Sequence, residues 1–102
     1  MKVLSAAQAR TRLPRHWKLK GKTITLFLDF ITFPDCIRFI DAVAIISEKA
    51  QHHPDMQVSW KRLSLTLTTH DAGGLTAKDM SMASKINAIA KKHSKRILNL
   101  ND

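Results

Sequence analysis

The chain has 102 residues, with 17 Lys and Arg against 8 Asp and Glu for a formal net charge of +9. Its length predicts a single domain over residues 1-102, and its 44% hydrophobic and 25% charged shares are those of a globular chain, which excludes fibrous and disordered classes. A lone cysteine, Cys36, excludes an internal disulfide and a zinc ribbon, and apolar runs such as Ala42 to Ile46 fall far short of the roughly 20 residues of a membrane-spanning helix.

Ser5 to Leu13 is predicted as a short helix, capped by Ser5, carried by Ala6, Ala7 and Ala9, and ended by Pro14. Period-two alternation then predicts a hairpin, with Trp17 and Leu19 on one strand and Ile24, Leu26 and Leu28 on the next. A turn at Gly21-Lys22 pairs Lys20 with Thr23, Leu19 with Ile24 and Trp17 with Leu26, so the apolar positions share a face. Pro34 fits the first turn of a helix running to about Ala50, with a stripe of Cys36, Ile37, Ile40, Val43 and Ala44 widened by Phe39 and Ile46. Cys36 belongs to that stripe and is read as core, not as a nucleophile. Pro54 forces the helix to stop near His52.

A second hairpin is expected from Val58 and Trp60 against Leu63, Leu65 and Leu67, with Lys61-Arg62 as the turn, Trp60 opposite Leu63 and Val58 opposite Leu65. Asp71 to Gly74 reads as a loop, and Thr76 begins a last helix carrying Met80, Ala83, Ile86 and Ala90. The order αββαββα, with two ββα blocks as a weak repeat, predicts an α+β fold: helices on one face of a four-stranded antiparallel sheet. No spanning segment, and no leader in Met1 to Arg15, gives a cytoplasmic protein as the expectation.

The cations cluster at Arg10, Arg12, Arg15, Lys18, Lys20 and Lys22, and again at Lys91, Lys92, Lys95 and Arg96. Such clusters suit phosphate neutralisation, yet no RNA-binding strand motif, zinc finger or glycine-rich phosphate loop accompanies them. They are read as solvated surface, with nucleic acid the lesser reading.

The chemistry-bearing residues are His52-His53-Pro54, His70 and Asp79. Imidazole exchanges its proton near neutral pH, which suits acid–base work. The helix break at His52 and His53 is what lets two adjacent rings serve one site. His70 ends the fourth strand on the polar side with Ser64, Thr66 and Thr68. Asp79 has two readings: with Thr76 it completes a capping box, and it is a candidate site carboxylate. Glu48, one turn before His52, either orients that ring or faces water. A metal site needs further ligands that the spacing does not demand, and no Gly-x-Ser-x-Gly elbow accompanies a serine nucleophile.

Glu48-x-x-x-His52-His53-Pro54, then Trp60, His70 and Asp79, with Leu65 to Thr76 around them, resembles the signature of the pterin-4a-carbinolamine dehydratase family. The resemblance runs weakly from Trp17 and strongly from Glu48 to Ala90. It implies the same αββαββα fold. It implies dehydration of 4a-hydroxytetrahydrobiopterin to quinonoid dihydropterin in tetrahydrobiopterin recycling, with no metal and no other cofactor. It places the catalytic histidines on His52, His53 and His70, and substrate contacts on Glu48, Trp60, Thr69 and Asp79. It implies a homodimer or homotetramer, a small reduced pterin as ligand and no membrane partner. The chain departs at Met56, where animal members carry an aromatic soon after the proline. The alternative that the resemblance carries is a non-enzymatic, coactivator-type module that binds an acidic partner or nucleic acid through its basic surface.

Overall fold

The computed structural model describes residues 2–100. Helix α1 (Ala6–Arg12) is followed by strands β1 (Lys18–Lys20) and β2 (Thr23–Phe30), helix α2 (Phe33–Ala50), strands β3 (Asp55–Ser59) and β4 (Arg62–Leu67), helix α3 (Ala77–Lys92) and strand β5 (Ile97–Leu100). All strand pairs are antiparallel, in the order β1-β2-β4-β3. One face of the sheet carries buried Ile24, Leu26, Leu28 and Phe30 from β2 and Leu63, Leu65 and Leu67 from β4. Onto it pack Cys36, Phe39 and Val43 of α2, Met80, Ala83, Ile86 and Ala90 of α3, and Ala9 of α1. Burial pushes the Cys36 thiol pKa up, as suits a core residue. The opposite face is polar, with the Thr25 and Thr66 hydroxyls 3.2 Å apart across β2 and β4.

Local signals set most of these boundaries. Ser5 caps α1 through a reciprocal bond with Gln8. The helices α2 and α3 open alike: Thr32 is the cap of α2 with Asp35 three residues on, and Thr76 is the cap of α3 with Asp79 three residues on. Asp35 is nearly buried and faces Arg38 at 2.9 Å and Arg96 at 3.7 Å, two guanidiniums that are themselves more than half exposed.

The structure corrects the expected outline in four places. A fifth strand, β5, runs beside β2 at Leu28 to Phe30, where the three-residue β1 has already ended and left the edge of β2 free. Both Leu98 and Asn99 are exposed, so no period-two signal marks that strand. In α2 the inner face runs through Cys36, Phe39, Val43 and Ser47, while Ile37 and Ala44 face out. Trp17 lies just outside β1, buried, its Nε1 donating to Asn87 Oδ1 at 2.9 Å.

The fourth correction concerns the second hairpin. Val58 pairs with Leu63 and Met56 with Leu65, two residues away from the expected register, and Trp60-Lys61 forms the turn. Trp60 adopts φ +55° and is 73% exposed, and Val58 is exposed as well. A two-residue slip keeps every side chain on its own face, so alternation cannot tell the two registers apart. Longer-range contacts choose. Arg62 stays in the ladder opposite Asp29 and donates to both of its carboxylate oxygens, at 2.7 and 3.0 Å, while Phe30 N donates to Lys61 O at 2.8 Å.

Candidate active site

The end of α2 builds the first half of the site. Gln51 takes a left-handed conformation (φ +51°), and its N–H and that of His52 close back on the Ser47 carbonyl. The chain leaves the helix there, and the extended step into Pro54 sends the two rings opposite ways. His52 turns inward, its side chain 11% exposed, with Nε2 2.6 Å from Asp79 Oδ1. His53 turns outward, with Nε2 2.5 Å from Glu48 Oε2. Glu48 therefore engages His53, not His52 as one sequence reading had it: a left-handed residue between helix and ring rotates His52 away from its own preceding turn.

The second half comes from the β4–α3 connection. Asp79 is fully buried, and its two oxygens have different duties. Oδ1 faces His52. Oδ2 accepts from the Thr76 backbone N–H at 2.9 Å and from the Thr69 hydroxyl at 2.7 Å. With its proton given to Asp79, Thr69 Oγ1 accepts from the Thr76 hydroxyl at 2.8 Å. The helix cap and the contact to the histidine, alternatives on sequence, are two oxygens of one carboxylate. A carboxylate only accepts, so opposite one His52 Nε2 is the donor of this bond, which leaves Nδ1 as the other ring nitrogen. Among the described residues no buried side-chain N or O atom lacks a partner.

The loop between these elements holds His70, which does not end the fourth strand as expected: β4 stops at Leu67, and His70 opens a short turn beyond it. Thr69 and Gly74 exchange backbone bonds at 3.2 and 3.3 Å around a short 3₁₀ turn, His70–Ala72, closed by Gly73 at φ +76°. The N-terminal segment straps this loop. Leu4 N donates to Leu75 O at 2.8 Å, and a Cβ at Gly74 would lie 2.9 Å from Val3 Cγ1, so any larger residue there makes the exposed Val3 side chain shift. His70 is exposed, and with His52, His53 and Thr69 it lines a cleft of about 350 Å³.

The same cleft takes in Gln51, Asp55, Asp71 and Lys78, which sequence reasoning did not single out. The signals were local: Gln51 and Asp55 flank His-His-Pro, and Lys78 precedes Asp79. Trp60 is not brought to it; it sits at the far end of β3, in another cleft with Asp29 and Leu98. Among the described residues no three His, Cys, Asp or Glu side chains are grouped to hold a metal ion, and no helix is long and apolar enough to cross a membrane.

Residues 2–89 match the family model described as pterin 4 alpha carbinolamine dehydratase. A protein of Roseiflexus sp. (strain RS-1), provisionally named a pterin-4-alpha-carbinolamine dehydratase, is 42% identical over 84% of this chain and 95% of its own length. A Haloarcula marismortui protein of the same provisional name is 38% identical over 85% of this chain and 95% of its own. Among solved structures, a transcriptional coactivator/pterin dehydratase from Brucella melitensis superposes with a TM-score of 0.83 at 31% identity, covering 87% of this chain and 99% of that one. A pterin dehydratase-like protein described as a RuBisCO assembly factor of the α-carboxysome shares the fold, with a TM-score of 0.60 at 21% identity over 72% of this chain and 86% of its own.

Proposed function

The chain belongs to the pterin-4-alpha-carbinolamine dehydratase family, and on that footing we propose that it dehydrates a 4a-hydroxytetrahydropterin to the quinonoid dihydropterin and water, in tetrahydrobiopterin recycling. The observation that carries this reading is the cleft in which His52, His53 and His70 meet, with His52 tied to a buried carboxylate. Elimination breaks the C4a–O bond: the oxygen leaves as water after taking a proton from an acid, and a base accepts a proton from a ring nitrogen. Both transfers suit imidazole near neutral pH.

The three rings stand in different settings, which suits a division of labour. His52 is fixed in orientation and tautomer by Asp79, so its proton exchange runs through Nδ1, and the fully buried carboxylate stabilises the imidazolium that forms. His53 and His70 are exposed in the cleft, where water exchange resets their protonation between turnovers. Thr69 and Asp79 act as positioning residues. Glu48 holds the His53 ring, an exposed pair that contributes under about 1 kcal/mol. A cytoplasmic homodimer, paired along the open outer edge of β3, completes the proposal.

The test is the rate of dehydration of a synthetic 4a-hydroxytetrahydropterin. His53→Ala lowers turnover by about 100-fold or more while the thermal melt is unchanged. A change within about threefold removes His53 from the chemistry. The second reading, a protein-binding module, is favoured by the likeness to the Brucella protein, which is described as both transcriptional coactivator and pterin dehydratase. A wild-type chain that binds a reduced pterin without accelerating its dehydration would favour that reading.

A further inference from the structure

A second, larger cleft, of about 510 Å³, lies where the chain's two cationic clusters meet. Arg15 comes from the segment before β1 and Lys91 from the end of α3, joined through Asn87, whose Nδ2 donates to Arg15 O at 3.0 Å while its Oδ1 accepts from Trp17. The floor is apolar: Ile97, Leu98 and Leu100 of β5. None of the described lining residues is acidic, and among the described residues no ion pair engages Arg15 or Lys91.

A neighbouring cleft of about 410 Å³ shares Leu98 and continues to Trp60 and Lys61. Its one acid, Asp29, is neutralised by two bonds from Arg62. Trp60 at 73% and Leu98 at 66% are the two most exposed large apolar side chains among the described residues, and both lie on this one track. Lys61 Nζ sits 4.1 Å over the Trp60 ring, so a cation accompanies the apolar side chain at this end as at the other. Neither cleft shares a residue with the histidine cleft. Dehydration of an uncharged pterin makes no use of either.

We propose that this groove docks a short, extended acidic segment of another protein, which seats apolar side chains beside Leu98 and Trp60 and turns its carboxylates to Arg15, Lys91 and Lys61. Charge complementarity selects the acidic partner, and the aliphatic floor selects a peptide over nucleic acid, since three aliphatic residues and a single Trp give successive bases no stacking platform.

The probe is a fluorescein-labelled octapeptide alternating glutamate and leucine, read by fluorescence anisotropy against the full chain. Binding saturates at one peptide per chain and weakens at least about tenfold between roughly 0.05 and 0.5 M salt. The double variant Arg15→Glu, Lys91→Glu weakens it by about tenfold or more, and so does replacing the peptide's leucines by serine. Leu98→Ser weakens it about threefold or more, and circular dichroism confirms the fold of each variant. If the double variant fails to fold, Leu98→Ser and Arg15→Glu alone carry the test. Dehydration by these variants stays at the wild-type rate, so a failed groove and a failed dehydratase assignment appear in different measurements. Four results overturn the proposal: no saturable binding, equal binding of the serine peptide, displacement of the peptide by oligothymidine at lower concentration, or self-association of the chain that Leu98→Ser abolishes.

Discussion

Two helices of this chain begin with the same words. Thr32 and Asp35 open α2, and Thr76 and Asp79 open α3, each threonine as cap and each aspartate three residues later. Yet Asp35, nearly buried itself, is held by the solvent-facing Arg38 and Arg96, whereas Asp79 is sealed from solvent between Thr69, the Thr76 amide and His52. Only Asp79 closes a capping box: its Oδ2 accepts from the Thr76 amide and leaves Oδ1 for His52, whereas at α2 the Thr32 side chain caps alone and Asp35 Oδ1 is taken by Arg38. What the carboxylate faces decides whether it is only structural. At α2 it meets guanidiniums that are more than half exposed, which weakens the pair. At α3 it meets imidazole inside the protein, where a charge-assisted bond is stronger and fixes a tautomer.

The comparison breaks most visibly at the partner of each carboxylate. His52→Ala lowers dehydration by about 100-fold to 10,000-fold, while Arg38→Ala leaves turnover within about twofold; both are read in the same rate assay. Next come the carboxylates themselves. Asp79→Asn removes the charge facing His52 and disturbs a buried network, so turnover falls about tenfold or more and stability falls by about 1–3 kcal/mol in urea titration. Asp35→Asn costs under about 1 kcal/mol and leaves turnover unchanged. Equal kinetic effects of the two substitutions would erase the distinction. The caps follow: Thr32→Ala and Thr76→Ala each cost about 1 kcal/mol, and only Thr76→Ala also slows turnover, because it loosens Thr69 and Asp79.

The smallest effect is a pH dependence at another surface carboxylate. The Arg62 hydrogen bonds outweigh the upward push of burial and, with lesser help from the Arg62 charge and a hydrogen bond from Asn99, hold the Asp29 pKa below its ordinary value. A depressed folded-state pKa contributes stability above the unfolded value, and that contribution fades as pH falls through the folded one. Below about pH 4 the wild type therefore loses stability that Asp29→Asn has already lost, by under about 1 kcal/mol because the guanidinium is more than half exposed and solvent screens the pair. Urea midpoints of the two proteins converge as pH falls.

Much of this architecture is legible in the sequence because its signals are local. Ser5, Pro14, Pro34, Pro54 and the Thr76–Asp79 box mark helix ends within a turn, and the alternation of Ile24, Leu26, Leu28 with Leu63, Leu65, Leu67 marks the buried sheet face. What escaped depends on partners distant in the chain. The second hairpin's register rests on Asp29 and Arg62, 33 residues apart, and β5 exists only because β2 has an unpaired end. At the candidate site the histidines stood out by residue type, and a contact between His52 and Asp79 was not readable from their separation of 27 residues. Nor was the change of partner at Glu48, which follows from one left-handed residue, Gln51.

The strap of Val3 and Leu4 over Gly74 and Leu75 has a consequence in time. It joins two segments some 70 residues apart in the chain, so the earlier segment has this partner only once the later one has come back to it. Contacts of such long sequence separation are slow to close. The shape of the His70 loop therefore depends on a closure of high sequence separation, and loosening the strap slows folding more than it disturbs the finished sheet.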